Sequence, residues 1–220
     1  MRFSSTLRPA CLIAALVSAP CSFPQSKDPS ASEVKGMPAR VAPTEYQAHV
    51  AAGPLTIAAD FEGHSVATPE ATYTTEDYVV VEVGMFGAPG ARANLSKGDF
   101  SLRINGKKTA APSQPYELVF KALKDPEWEP LSKESKSKTS IGGAGGGGDS
   151  GGPPAPVHMP IELRRAMEQR VQRTTMLEGD RALPQAGLLF FEYRGKTQGI
   201  RSLELIYNGS AGNASLTLQP

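Results

Sequence analysis

Tyr78-Val-Val-Val-Glu-Val-Gly-Met-Phe86 is the stretch whose reading decides the fold. Val79, Val81, Val83 and Met85 recur with period two, and Tyr78, Val80 and Phe86 fall on the reverse. Successive side chains of a strand point to opposite faces, so this period marks a β-strand and not a helix. Working outward, the alternation returns on both sides. Upstream, Leu55, Ile57, Ala59 and Phe61 share one face. Downstream, Phe100, Leu102 and Ile104 alternate with Ser101 and Arg103 and stop at Asn105-Gly106, a hairpin-turn signal because both residues tolerate positive φ. Tyr116, Leu118 and Phe120 alternate with Glu117 and Lys121 and predict a further strand. Leu188 to Tyr193, then Leu203, Leu205 and Tyr207, then Leu216 and Leu218 complete the series. About seven such strands, with no helix between most of them, predict an all-β antiparallel sandwich.

Within the strand from Leu188 to Tyr193, neighbours occupy opposite faces. Leu189, Phe191 and Tyr193 form one face, and Leu188, Phe190 and Glu192 the other. Glu192 implies that its own face meets solvent, so Phe191 is expected inside and Phe190 is expected to matter less for stability.

The flanks read differently. Arg2 and Arg8 precede the apolar run Cys11 to Val17, with small residues at Ser18 and Ala19. That is the layout of a secretory signal peptide, too short for a membrane span of about 20 apolar residues. The expected organisation is a signal over 1–24, a disordered linker over 25–46 dotted with prolines, and a sandwich over 47–220. Cys21, at the edge of the signal, opens the alternative of a lipid-anchored envelope protein, against which stands Pro20 where such a Cys normally follows a small residue. Removing Arg2 and Arg8 leaves 21 basic and 22 acidic groups, which argues against a nucleic-acid or membrane-surface partner. Cys11 and Cys21 are the only cysteines, so the domain is expected to hold together without a disulfide.

The sandwich pattern breaks over 125–160. Lys133-Glu-Ser-Lys-Ser-Lys138 and the glycine tract from Gly142 to Gly152 cannot bury enough surface to offset chain ordering, so a low-complexity, disordered insertion is expected there. A short amphipathic helix is expected over 161–175. Leu163, Met167 and Val171 make its apolar stripe, and Arg164, Arg165, Glu168, Arg170 and Arg173 take the other faces.

Groups that carry chemistry are sparse. Gly148-Asp-Ser-Gly-Gly-Pro153 matches, letter for letter, the nucleophile motif of chymotrypsin-like serine proteases. The match ends after six residues. His49 and His64 lack that family's general-base context, and a nucleophile held by a glycine tract has no fixed supporting shell. Ser150 therefore reads as a coincidence of composition, and a serine hydrolase is the distant alternative. His49, His64 and His158 never stand at ligand spacing. Glu70, Glu76 and Asp77 form an acidic patch without a calcium-loop pattern. Trp128, between prolines, reads as packing over a sheet edge or as a docking anchor. Asn94, Asn208 and Asn213 begin glycosylation sequons, which matter only in a eukaryotic secretory path, whereas the short signal reads as bacterial. No catalytic, cofactor or metal site is expected.

Two blocks carry a resemblance. Tyr78-Val-Val-Val-Glu-Val83 is followed by Leu95-Ser-Lys-Gly-Asp-Phe-Ser-Leu102, and Gly187-Leu-Leu-Phe-Phe-Glu-Tyr193 by Leu203-Glu-Leu-Ile-Tyr207. From Ala48 to Leu218 the chain resembles secreted bacterial immunoglobulin-like domains of unknown function, similar in fold to a mycobacterial immunoprotective extracellular antigen. The resemblance implies an Ig-like sandwich and carries no catalytic residues. The expectation is a non-catalytic, monomeric, secreted or periplasmic protein that binds or supports an unknown protein or envelope partner.

Overall fold

Turn chemistry and alternation together divide the chain into short strands. The computed structural model describes residues 36–124 and 159–220. In chain order these form β1 (Ala48–Ala52), β2 (Leu55–Gly63), β3 (Ser65–Ala67), β4 (Thr72–Thr75), β5 (Tyr78–Phe86), β6 (Arg92–Leu95), β7 (Phe100–Ile104) and β8 (Ala111–Gln114). Then come α1 (Tyr116–Phe120), β9 (Leu123–Lys124), α2 (Ile161–Thr174), β10 (Gly179–Ala182), β11 (Gln185–Glu192), β12 (Leu203–Gly209) and β13 (Gly212–Leu218). The expected all-β class and the helix over 161–175 are found. Of the expected insertion over 125–160, residues 125–158, with Trp128, Ser150 and His158, lie outside the described residues, as do the expected signal and Cys21; Met159, expected to be disordered, packs beside Val119, Met167 and Phe190.

Eight strands make one antiparallel sheet in the order β1-β2-β5-β11-β8-β7-β12-β13. It curls until its edges lie side by side. Gln47 Nε2 donates to the Gln219 carbonyl at 3.0 Å, and Gly53 in the β1–β2 turn lies so close that a Cβ there would sit 2.2 Å from the Ala211 carbonyl oxygen. The result is nearly closed and barrel-like. Its inner face gathers Ile57, Val81, Val83, Leu102, Leu189, Phe191 and Leu205 into one dry core, each at 1% exposure or less. Asn105 and Gly106 take the positive φ values read from the sequence. They open the loop 105–110 and not a two-residue hairpin, because the Asn105 side chain is used to accept from the Arg201 backbone N–H at 2.6 Å.

The outer face of β5 and β11 corrects an expectation. Phe190 does not meet solvent: it is as fully buried as Phe191, in a second apolar cluster with Val66, Tyr73, Val80, Val119, Met167, Val171 and Leu188. Glu192 is exposed as expected, but its face is open only at that end, because α2 and the small sheet β3-β4-β9 cover the rest. The near-continuous apolar runs of β5 and β11 follow from this two-sided burial.

Tyr116–Phe120, expected as a strand, is helical. Pro115 precedes the turn with its carbonyl accepting from the Leu118 N–H at 3.2 Å. A helical turn puts Tyr116, Val119 and Phe120 on one side, against the second cluster, and leaves Leu118 exposed. Tyr116 and Phe120 fit both periods, which is why alternation alone misread them. The lead-in, expected to be disordered through residue 46, is packed from residue 36 onward. Met37 bridges to Ala186, and Tyr46 is buried against Phe86 and Ala58.

The segment after α2 crosses β11 backbone to backbone. Met176 N–H donates to the Leu188 carbonyl at 3.2 Å, and Thr175 bridges Leu188. Gly187 makes the crossing possible, since a Cβ there would lie 2.3 Å from Met176 Cα and 2.4 Å from its nitrogen. Both sides are main chain and neither yields cheaply. Gly187→Ala is therefore expected to destabilise by about 1–3 kcal/mol, the cost of overpacking. A thermal melt checks it, and an unchanged midpoint would show that the crossing opens without cost.

Candidate functional site

Among the described residues, those that the sequence singled out do not converge on one site. His49 is exposed on β1. His64 points Nδ1 at the Tyr78 carbonyl, 2.6 Å away, and Nε2 at the Gly195 carbonyl, 2.9 Å away, and stacks on Tyr193. The ring is thus wedged between two carbonyl acceptors, and in its neutral form its one N–H donates to one of them. Within the acidic patch, Glu76 pairs with Lys124 at 2.5 Å and Asp77 with Arg194 at 3.7 Å, while Glu70 is exposed. On α2, Arg170 donates to the Tyr73 hydroxyl at 3.0 Å, and Arg164, Arg165 and Arg173 are exposed. The three sequon asparagines are exposed on β6, β12 and β13. A shallow groove of about 490 Å³, lined by Lys107, Pro112, Gln114, Glu192, Tyr193 and Arg194, lies beside the end of β11.

A cluster that the sequence reading missed lies on the outer face of β2 and β5. Asp60 and Glu82 are directly paired across these strands, and Glu62 follows at the β-bulge between Phe61 and Gly63. Each of the three offers a carboxylate oxygen, and these oxygens all lie within 4.8 Å of one another. The packed lead-in supplies a cation, Arg40. Arg40 Nη2 contacts Asp60 Oδ2 and reaches Glu82 Oε2 at 3.0 Å. Its guanidinium lies over the Tyr46 ring, 4.3 Å from the centroid, and its backbone N–H donates to the Tyr46 hydroxyl at 3.4 Å. Gln47 N–H donates to Asp60 Oδ1. One signal was legible: Glu82 is the only charge inside an otherwise apolar nine-residue strand. Its partners were not, because Arg40, Asp60 and Glu82 are far apart along the chain.

Burial here is uneven. The Glu82 side chain is 7% exposed and its Oε1 has no hydrogen-bond partner. Asp60 is 16% exposed and Arg40 32%. Burial pushes the Tyr46 hydroxyl up to about 12, with the Glu82 charge adding to the shift. Burial, followed by the charges of Glu82 and Asp60, raises the Glu62 carboxyl above its ordinary 4.5, and Arg40 opposes this. With a raised folded value, the folded chain holds more protons than the unfolded chain from pH 4.5 upward through that window. Glu62 therefore stabilises most at low pH, and its contribution is lost as pH rises through its folded value. Glu62→Gln is expected to flatten this decline and to be more stable than the parent at pH 7 in metal-free buffer. Urea titrations of both proteins at pH 4 and 7 check this, and an unchanged pH dependence would contradict it.

No protein-family model, curated protein or solved structure matches this chain.

Proposed function

We propose that this chain is an exported, non-catalytic β-domain that serves as a binding or structural accessory in the periplasm or outside the cell. The observation that supports this reading is where its reactive side chains go. The part-buried His64 ring is held between the Tyr78 and Gly195 carbonyls, and Arg40 spends its guanidinium fastening the lead-in to the sheet. These are the uses of a scaffold, and an acid–base or nucleophilic pair needs its groups held ready for substrate. The signal layout at the start of the sequence supports export, and no helix among the described residues is long and apolar enough to cross a membrane. An Ig-like sandwich is the finer fold reading. In its favour, β1-β2-β5-β11 and β8-β7-β12-β13 are two four-stranded halves that face each other over one core. Where β11 meets β8, two residue pairs join them, Phe190 with Gln114 and Phe191 with Ser113.

Two measurements test the proposal. Mass spectrometry of the exported protein is expected to find an unlipidated N-terminus between Pro20 and Lys27, and a diacylglyceryl Cys21 would replace soluble export with a lipid anchor. A fluorophosphonate probe is expected to leave the chain unlabelled. Labelling at Ser150 that disappears in Ser150→Ala would overturn the non-catalytic reading.

A further inference from the structure

We propose that Asp60, Glu62 and Glu82 form a binding site for one calcium ion on the outer face of β2 and β5. The inference does not rest on export or on the absence of catalysis. Three carboxylates and one arginine leave an excess of two negative charges in a place half closed to water. A divalent cation removes that excess in full.

The second observation is Glu82 Oε1. A buried carboxylate oxygen without a partner is costly, because the group has lost water and gained nothing in return. Arg40 satisfies only the other oxygen, Oε2. The Tyr46 hydroxyl interacts with the Glu82 carboxylate, yet Oε1 itself is left without a hydrogen-bond partner among the described residues. The oxygen is left over in a strand whose every other outward position is used. Val80 enters the second cluster, Gly84 lies under the Tyr46 ring, and Phe86 packs on Ala58.

Chemistry selects the ion. Carboxylates are hard oxygen donors, which suit calcium or magnesium over the softer metals that favour nitrogen or sulfur. The three oxygens lie within 4.8 Å of one another, close enough to share one ion. Magnesium demands a near-ideal octahedron, whereas calcium accepts irregular oxygen shells, and three carboxylates fixed by two strands and a bulge suit the more tolerant ion. Glu62, half-exposed beside the bulge, gives the ion its way in, and water completes a shell of six to eight oxygens. The arrangement departs from the expectation that the chain holds no metal. The signal missed was that two strands would bring their few acids together.

The experiment uses calcium chloride alone on the full chain after treatment with chelator. Calcium is expected to raise the unfolding midpoint, and calorimetry to give a dissociation constant of about 10⁻⁴–10⁻³ M, as in extracellular modules. Glu62→Gln removes one ligand and also removes repulsion, so it folds. It is expected to weaken calcium binding about tenfold or more. Glu82→Gln should do the same, and Asp180→Asn, in an exposed pair with Arg92 away from the cluster, should leave binding unchanged. Magnesium should bind at least about tenfold more weakly than calcium. The site is overturned if the parent shows no calcium-dependent shift, or if Glu62→Gln binds calcium as tightly as the parent does. Equal potency of magnesium would overturn the choice of ion.

Discussion

Phe191→Ala is expected to cost about 3–5 kcal/mol, and Phe190→Ala nearly as much. Phe191 stands at 0% exposure among Val79, Val81, Leu205 and the other residues that fill the curled sheet. Truncation there loses the transfer energy of the ring and leaves a cavity that strands on all sides cannot close. Phe190, also at 0%, is held between β5 and α2 with Val80, Met167 and Val171. The helix can move towards a void more easily than a hydrogen-bonded strand can. Phe190→Ala should therefore fall at the lower end of the range and also loosen α2. Urea titration of each variant measures the costs. Hydrogen exchange over residues 161–174 separates the two sites: Phe190→Ala is expected to speed exchange there and Phe191→Ala to leave it slower. A cost below about 1 kcal/mol for Phe190→Ala would mean that the second cluster adds little to stability.

Arg40→Ala is expected to cost about 3–5 kcal/mol, the range for removing one partner of a buried ion pair. Most of that cost comes from what remains, not from what is removed. Glu82, 5% exposed in the parent, loses its ion pair, and Asp60 loses its counter-charge beside Gln47. The contact over the Tyr46 ring is lost as well, about 0.5–1 kcal/mol or more when shielded from water. The double variant Arg40→Ala/Glu82→Leu is expected to regain a large part of the loss, since the orphaned charge is gone and its site lies between apolar neighbours. Denaturant titration of the two variants reads both effects. Limited proteolysis should cut Arg40→Ala near residues 36–46 sooner than the parent. If the single variant is as stable as the parent, the cluster does not fasten the lead-in.

Some of this architecture is local. Val79, Val81, Val83 and Met85 must share a face in any extended chain, and Leu163, Met167 and Val171 must share one in any helix, so the all-β class and α2 were legible from spacing alone. The turn at Asn105-Gly106 was legible for the same reason: its positive φ values are a property of those two residues. What spacing leaves open is what covers a face. Phe190 and Phe191 look alike in the sequence, and only the placement of α2 and β3-β4-β9 over the outer face buries both. Tyr116 and Phe120 satisfy two periods at once, and the second cluster decides for the helix by offering a place to Val119. The acidic site is the clearest case. Glu82 alone is an anomaly in an apolar strand; it becomes part of a site when the β2–β5 register sets Asp60 opposite it and the folded lead-in brings Arg40 across. Alternation is a property of neighbouring residues, so the sequence alone determined the longer strands β2, β5, β7, β11, β12 and β13. Register, closure of the sheet and the meeting of charges depend on contacts between distant residues, and those were decided only when the chain had folded.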